Sequence, residues 1–474
     1  MIVTVILLAN GFVPIESSLG RTLASTTSPQ SSDAQIAATI GATIEVGHQV
    51  AVTPSTFWGL DVVTAASKGI VTDPALGSYL NATRFATFSY TSQSDQCNVT
   101  TNTQYQDDGS SVSPCGFNVA SFKAWCDSKG AGCTSILTLP GENNNSGEDA
   151  NMASYIVHTI GFQPTYWAIG NEPSLWNHYG IPWKSWKTSD HKTPTPLAYA
   201  IDVKNAIQAV KKVDPSAKFI GIQADCECSP TWFAAVAQVD GASISAISYH
   251  TYPSAARSQS ETQKQFFATL ATSSNITHSY SLVRSYLDGK CKSCSTMPIF
   301  VTEYNSGPGW GPSNFAGTYQ DAVFLAASTV QALLANVTTL DIFYLQTYET
   351  SMVDSWALMN QQNTVGPEGV LYEDLLSHME TGHAMAVKIV TTTGNVWAVM
   401  TSDGSKESLL VVNANITQSI DLNLNHALKI GSGTSQTYYQ WHSGENVPSS
   451  TKTTSLPGSF TIPSEGILLI DWTS

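Results

Sequence analysis

The chain has 474 residues, 42% of them hydrophobic. That is too long and too apolar for disorder, and enough for one barrel of about 200–250 residues or more plus a smaller partner. Thirty-six acidic residues against 21 basic ones leave a net charge of −15, which excludes a basic nucleic-acid-binding face and disfavours polyanionic partners.

Residues 1–9 form an apolar run with the character of a signal-peptide core, though without a basic leading region. Ser and Thr crowd residues 17–32, so 1–35 reads as a leader and flexible segment. Residues 36–53 alternate with β character and are expected to lend one or more strands to a later β-sandwich. From there a rhythm sets in, a short apolar run followed by a longer amphipathic stretch. The runs are 57–62, 82–88, 134–139, 166–170, 218–223, 244–250, 299–303 and 340–346. Several are apolar throughout, as expected of strands buried on both faces of a parallel sheet.

Helices are predicted between them. Tyr199, Val203, Ile207 and Val210 recur on one helical face, and Lys211 and Lys212 fall at its C-terminal end, where the dipole favours cations. Residues 118–125 and 315–334 read the same way. Strands alternating with helices over about 300 residues predict an α/β fold, a closed (β/α)8 TIM barrel over 54–383. An open doubly wound sheet is the alternative, but no Gly-x-Gly-x-x-Gly turn follows an early strand. After 384 the texture turns to β. Apolar segments at 396–400 and 409–413 flank a turn with Asp403-Gly404, a hairpin signal, and 459–462 and 467–472 read as two more strands. Residues 384–474 are thus expected to form an appended C-terminal β-sandwich.

Charged residues are only 12% of the chain, well below the usual share. Ser, Thr, Asn and Gly make the surface polar instead, which fits an acidic extracellular setting or a glycan-shielded surface. Six N-x-Ser/Thr sequons occur, at Asn81, Asn98, Asn144, Asn275, Asn336 and Asn415, and eight cysteines accompany them. Together they predict a secreted glycoprotein with disulfides. Cys97 with Cys115, and Cys126 with Cys133, are the expected bridges. Cys226, Cys228, Cys291 and Cys294 have the spacing of two zinc-knuckle halves, a rival reading. No apolar run after the leader reaches about 18 residues, so no membrane span is expected in the mature chain. No His-Glu-x-x-His, EF-hand or Gly-x-Ser-x-Gly pattern appears, so neither a catalytic metal, nor a cofactor, nor a Ser-His-Asp site is predicted.

In a barrel, chemistry sits at the C-terminal strand ends. The fourth predicted strand ends in Trp167-Ala168-Ile169-Gly170-Asn171-Glu172-Pro173. The seventh ends in Ile299-Phe300-Val301-Thr302-Glu303-Tyr304-Asn305. Each puts a glutamate where an apolar strand opens into a loop. Carboxyls about 5–5.5 Å apart suit retaining glycoside hydrolysis, and about 6.5–9.5 Å suits inversion. Either glutamate alone is ordinarily a solvated loop carboxylate; the pair, on strands four and seven of eight, points to chemistry.

These two segments resemble the signature of clan A glycoside hydrolases. The resemblance covers about residues 55–350. It implies that Glu172, preceded by Asn171, is the acid/base and Glu303 the nucleophile. His250-Thr251-Tyr252 is similar to the clan's His-x-Tyr, whose tyrosine orients the nucleophile. Arg84 resembles the arginine behind the nucleophile, although Phe85-Ala86-Thr87 stands where x-Gly-Gly often follows. The appended sandwich resembles that of the heparanase/β-glucuronidase family, whereas Thr302-Glu303-Tyr304-Asn305-Ser306 is closer to the β-xylosidase/α-iduronidase family. In these roles, Arg84 and Tyr252 would hold Glu303 ionised. Burial against Trp167 or Trp176 would keep Glu172 protonated. Asn171 would donate to the sugar 2-hydroxyl.

Asp61, at the end of the first strand, and Gln346, at the end of the eighth, are further candidates to bind sugar hydroxyls. So is Glu349. Asp225 and Glu227, among cysteines, read as loop residues. Trp176, Tyr179, Trp183 and Trp186 in the loop 174–196, with Trp310 and Trp356, offer faces for sugar C–H groups or anchors for the loop. The expectation is a secreted retaining β-glycosidase acting on an oligo- or polysaccharide, with β-glucuronidase-like action as one form of it. An endo-acting β-glycanase on a neutral polysaccharide and a non-catalytic carbohydrate-binding protein are the alternatives. The sugar, exo or endo action, and oligomeric state are not readable from sequence.

Overall fold

The computed structural model describes residues 39–473 apart from 63–72, 91–96, 99–102, 106–110, 113–118, 142–143, 177–193, 253–260, 273–274, 307–311, 348–349, 354, 380, 391–394, 425–435, 442–448 and 454–455. Strand β1 (Thr39–Thr53) precedes eight parallel strands: β2 (Trp58–Asp61), β3 (Thr87–Tyr90), β4 (Thr134–Leu139), β5 (Tyr166–Ile169), β6 (Phe219–Ala224), β7 (Ala246–Thr251), β8 (Ile299–Tyr304) and β9 (Thr339–Ile342). They pair in chain order and close through Leu340 of β9 against Trp58 of β2, forming a (β/α)8 barrel. A small antiparallel sheet of Cys97–Asn98, Thr103–Tyr105 and Ser111–Val112 follows β3.

Nine α-helices are present among the described residues: α1 (Pro74–Ala82), α2 (Val119–Lys129), α3 (Ser146–Ser154), α4 (Pro196–Val213), α5 (Pro230–Asp240), α6 (Gln263–Ala268), α7 (Ile276–Leu287), α8 (Tyr319–Ala335) and α9 (Pro367–His378). Helix α4 shows why they form where they do. Thr195 caps it by accepting from the Ala198 N–H, Pro196 opens it, and Tyr199, Val203, Ile207 and Val210 are buried along one face. Lys211 and Lys212 close it, as predicted.

The barrel interior carries a layer of Ile136, Ala168, Ile220, Ala246 and Phe300, one from each of β4 to β8. All eight predicted strands exist, but the second is displaced. The run 82–88 was expected to be strand, whereas α1 extends to Ala82 and is closed by Thr83, whose N–H and hydroxyl both donate to the Tyr79 carbonyl. β3 therefore starts at Thr87, five residues later than expected.

The C-terminal strands are β10 (Gly382–Val390), β11 (Val396–Ser402), β12 (Lys406–Asn413), β13 (Ser419–Asn423), β14 (Gln436–Trp441), β15 (Ser449–Thr453), β16 (Ser459–Ile462) and β17 (Gly466–Thr473). With β1 they make one nine-stranded sheet in the order β15-β14-β17-β12-β11-β10-β1-β13-β16. Its two ends fold over each other into the β-sandwich. Leu409, Val411, Leu468 and Ile470 meet Ile420, Leu422, Phe460 and Ile462 in the sandwich core. Their neighbours Leu410, Val412, Ile467 and Leu469 face the other way and join the barrel core, the period of two at work. Helix α8 lies between barrel and sheet, which is why it is buried nearly all round.

Gly59 of β2 is required by its opposite number. Asp341 of β9 is paired with it in register, and a Cβ at Gly59 would fall 1.5 Å from the Asp341 Oδ1. Gly59→Ala is expected to lower stability by about 1–3 kcal/mol, the usual cost of overpacking, measured by denaturant unfolding. An unchanged midpoint would show that Asp341 swings aside freely.

Candidate active site

A ring of polar side chains crowns the C-terminal ends of the barrel strands. β5 ends at Ile169, and Gly170 turns the chain with φ +67°. A side chain at Gly170 would strike the Trp176 ring, 2.7 Å away. Glu172 then adopts φ +50°, a left-handed conformation rare for a residue with a side chain. Its N–H donates to the Gln223 carbonyl at the end of β6.

Glu303 reaches the same space by another device. Phe300 points into the barrel, and strict alternation from it would turn Glu303 outward. The pairing of β7 with β8 slips by one residue between Tyr249–Val301 and His250–Glu303. The extra residue on β8 turns the glutamate inward, as a bulge re-aims a side chain.

The two glutamates and His250 converge. His250 Nδ1 lies 2.8 Å from Glu172 Oε1 and 3.3 Å from Glu303 Oε2. The three donor atoms all lie within 4.8 Å of one another. The Tyr252 hydroxyl donates to Glu303 Oε2 at 2.8 Å. Phe343 and Trp356 pack on the Tyr252 ring, at 6.2 and 5.5 Å between centroids. Two carboxylates and an imidazole so close have the donor set of a cation site, but the Nδ1 distances are those of N–H donation to both carboxylates.

Burial pushes the Glu303 carboxyl up to about 8. The His250 charge opposes the shift, the Glu172 and Asp61 charges reinforce it, and the Tyr252 hydroxyl pulls it back. Burial alone would lower His250, but Glu303 and Glu172 overcome it and push the imidazole up to about 9. His250 is therefore the positive charge that faces both glutamates.

The remaining predicted residues divide. Asn171 is buried, and neither of its side-chain amide atoms is bonded to a described residue. Asp61 is buried at the end of β2, accepts from the Ser89 hydroxyl at 3.4 Å, and its charge is felt by Glu303. Gln346 is buried and donates its amide to the Asn360 carbonyl and the Asn363 side chain, so it pins the loop after β9.

Two expectations are corrected. Arg84 does not lie behind Glu303. It is exposed and precedes β3, so it sits at the N-terminal end of the barrel, about six residues or roughly 20 Å of extended chain below the rim. The late start of β3 is the cause. Trp176 offers no face to a sugar. It is buried, packs edge-on to Tyr199, and donates its indole N–H to the Asn171 carbonyl at 2.7 Å, so it braces the turn that carries Glu172. Trp356 is likewise buried, behind Tyr252. Trp310, Tyr179, Trp183, Trp186 and Glu349 lie outside the described residues.

The cysteines bear on the zinc reading. Cys126–Cys133, Cys226–Cys228 and Cys291–Cys294 are disulfides, and sulfurs bonded to each other are not thiolate ligands. Cys115 and the Cys97 side chain lie outside the described residues.

Sequence reasoning passed over one acid and took another for a plain loop residue. Asp341 is fully buried inside the barrel, where burial, and to a lesser degree the Asp61 charge, hold its carboxyl well above the usual range. Its signal was a lone charge in an otherwise apolar run. Asp225 follows β6 and bonds to Ser174, two residues beyond Glu172; no motif marks that contact.

No family model matches the sequence, and no curated protein matches it. Solved structures share its fold. A family 51 α-L-arabinofuranosidase from Bifidobacterium longum superposes with a TM-score of 0.68 at 15% identity, over 92% of this chain and 100% of that one. An α-L-arabinofuranosidase from Thermotoga maritima gives 0.67 at 14%, over 92% and 100%. A family 44 xyloglucanase from Paenibacillus polymyxa gives 0.66 at 13%, again over 92% and 100%.

Proposed function

We propose that the chain is a retaining O-glycoside hydrolase, with Glu303 as nucleophile and Glu172 as acid/base. One observation carries the reading: carboxylate oxygens of Glu172 and Glu303 lie within 4.8 Å of each other. Oxygens that close suit the narrower spacing of a retaining pair better than the wider one that inversion uses. The likeness in fold to glycosidases and to a xyloglucanase supports it.

In the first step a Glu303 oxygen bonds to the anomeric carbon while the bond from that carbon to the leaving oxygen breaks. Glu172 gives that oxygen its proton. In the second step water attacks the same carbon, Glu172 takes its proton, and Glu303 is released as carboxylate. Tyr252 and His250 hold the Glu303 carboxylate before it attacks and receive it again when the second step releases it. Asn171 is placed to bind the sugar hydroxyl next to the reacting carbon.

The charge around the site favours a neutral sugar over a uronic acid. Asp61 and Asp225 act on the Glu172–His250–Glu303 group, and Arg84 precedes β3 at the far end of the barrel. A sugar carboxylate would meet like charge. The three disulfides support a secreted enzyme.

The test is a panel of aryl glycosides: β-glucoside, β-xyloside, β-galactoside, β-glucuronide and, because of the neighbours in fold, α-L-arabinofuranoside. A neutral sugar is expected to be cleaved at least about 10-fold faster than the glucuronide, with the anomeric configuration retained by proton NMR. Hydrolysis of xyloglucan or another neutral polysaccharide without aryl glycoside cleavage selects the endo-acting form. Inverted product sinks the mechanism, and glycan binding without turnover on any substrate sinks the enzyme reading.

A further inference from the structure

Glu172 is held from two sides, and only one of them is the backbone. The backbone restraint is its N–H bond to the Gln223 carbonyl, 3.0 Å. The other comes from Asp225, two residues further along the chain from Gln223. Its Oδ1 accepts from the Ser229 hydroxyl at 3.0 Å and from the Ser174 hydroxyl. Ser174 belongs to the turn Glu172-Pro173-Ser174, so the Asp225 carboxylate ties the loop after β5 to the loop after β6. Ser229 fixes Asp225 in turn, and the Cys226–Cys228 disulfide closes the short turn between them.

This tie answers a need. A glutamate at φ +50° keeps a sparsely populated conformation only where its surroundings over-determine it. Trp176 braces the turn from one side through the Asn171 carbonyl. Ser174 lies on the other side of Glu172, and Asp225 is its partner.

Resting on the hydrolase reading above, we infer that Asp225 is a positioning residue for the acid/base, acting through Ser174 to hold the Glu172 carboxyl where a leaving oxygen would sit. It does not touch the reacting atoms. Its effect therefore falls on the proton given to the leaving group and spares the attack by Glu303.

Leaving-group dependence reads that difference. On a phenyl glycoside, which needs the proton, Asp225→Ala is expected to lose about 30-fold in kcat/KM, and on a 2,4-dinitrophenyl glycoside, which does not, less than about 3-fold. Asp225→Asn keeps an oxygen that accepts from both serines and is expected to restore most of the loss. Ser174→Ala removes the other end of the tie and is expected to show the same bias, which covers the case where Asp225→Ala does not fold. Equal losses on both leaving groups, or none, would overturn the inference. A readout without turnover separates this from failure of the hydrolase reading. In a crystal structure of Asp225→Ala the Glu172 carboxyl is expected to leave the His250 Nδ1, whereas an unmoved Glu172 overturns the inference even if no glycoside is cleaved.

Discussion

Glu303→Ala is expected to lower kcat by at least about 10⁴-fold, the scale on which loss of a covalent nucleophile is felt. The variant is expected to keep its fold, because the core layer of Ile136, Ala168, Ile220, Ala246 and Phe300 does not include the side chain. Removing the carboxylate leaves a space beside Tyr252 and His250, whose donors formerly served Glu303. A small anion such as azide fits that space and is drawn by the His250 charge. With Glu172 intact and an activated aryl glycoside, azide is expected to restore turnover and give a glycosyl azide of inverted configuration. The same experiment on Glu172→Ala is expected to give the azide of retained configuration, because azide then replaces water in the second step. The two stereochemical outcomes assign the two glutamates independently. Azide products with the configurations exchanged would exchange the roles, and full activity in Glu303→Ala would remove Glu303 from the mechanism.

The barrel was legible because its strands are buried on both faces and so read as apolar runs; the strands at 134–139 and 299–304 begin where those runs begin. The glutamates were legible because each ends such a run. What pattern did not carry was direction. A register slip no sequence rule marks turns Glu303 inward, and a helix running to Ala82 displaces Arg84 to the wrong end of its strand. Trp176 shows a third limit. Its indole N–H serves a carbonyl five residues back, and composition cannot tell a tryptophan that braces a turn from one that awaits a sugar. Asp225 was read as a loop residue for a related reason, since its partners Ser174 and Ser229 come from two loops that only the closed barrel brings together.

The burial of Glu303 has a measurable consequence. In the proposed mechanism attack requires ionised Glu303, and its carboxyl is pushed up to about 8 by burial, with the Glu172 and Asp61 charges adding to the shift. The acid limb of kcat/KM, which reports the free enzyme, is therefore expected near pH 8, far above the ordinary carboxylate range, with the rate falling about tenfold per pH unit below it. Charge substitutions are expected to move the limb in opposite directions. Asp61→Asn removes a negative neighbour, makes ionisation easier and shifts the limb to lower pH. His250→Gln removes the positive neighbour and shifts it higher. The position of the limb is the readout, so a general loss of rate in either variant does not obscure it. A limb near pH 4–5 in the unaltered protein would mean that Glu303 is not the group whose ionisation gates the reaction. It would also restore the acidic setting that the low surface charge favours. The sign carries over to stability. The folded value of Glu303 lies above its ordinary 4.5, so its contribution to stability is complete below about 4.5 and is lost as pH rises through about 8. The ionised form that attacks is thus the form that least favours the fold. Glu303→Gln, neutral at every pH, is expected to raise the melting temperature relative to the unaltered protein above pH 8 and to leave it nearly unchanged at pH 4, as thermal denaturation at the two pH values would show.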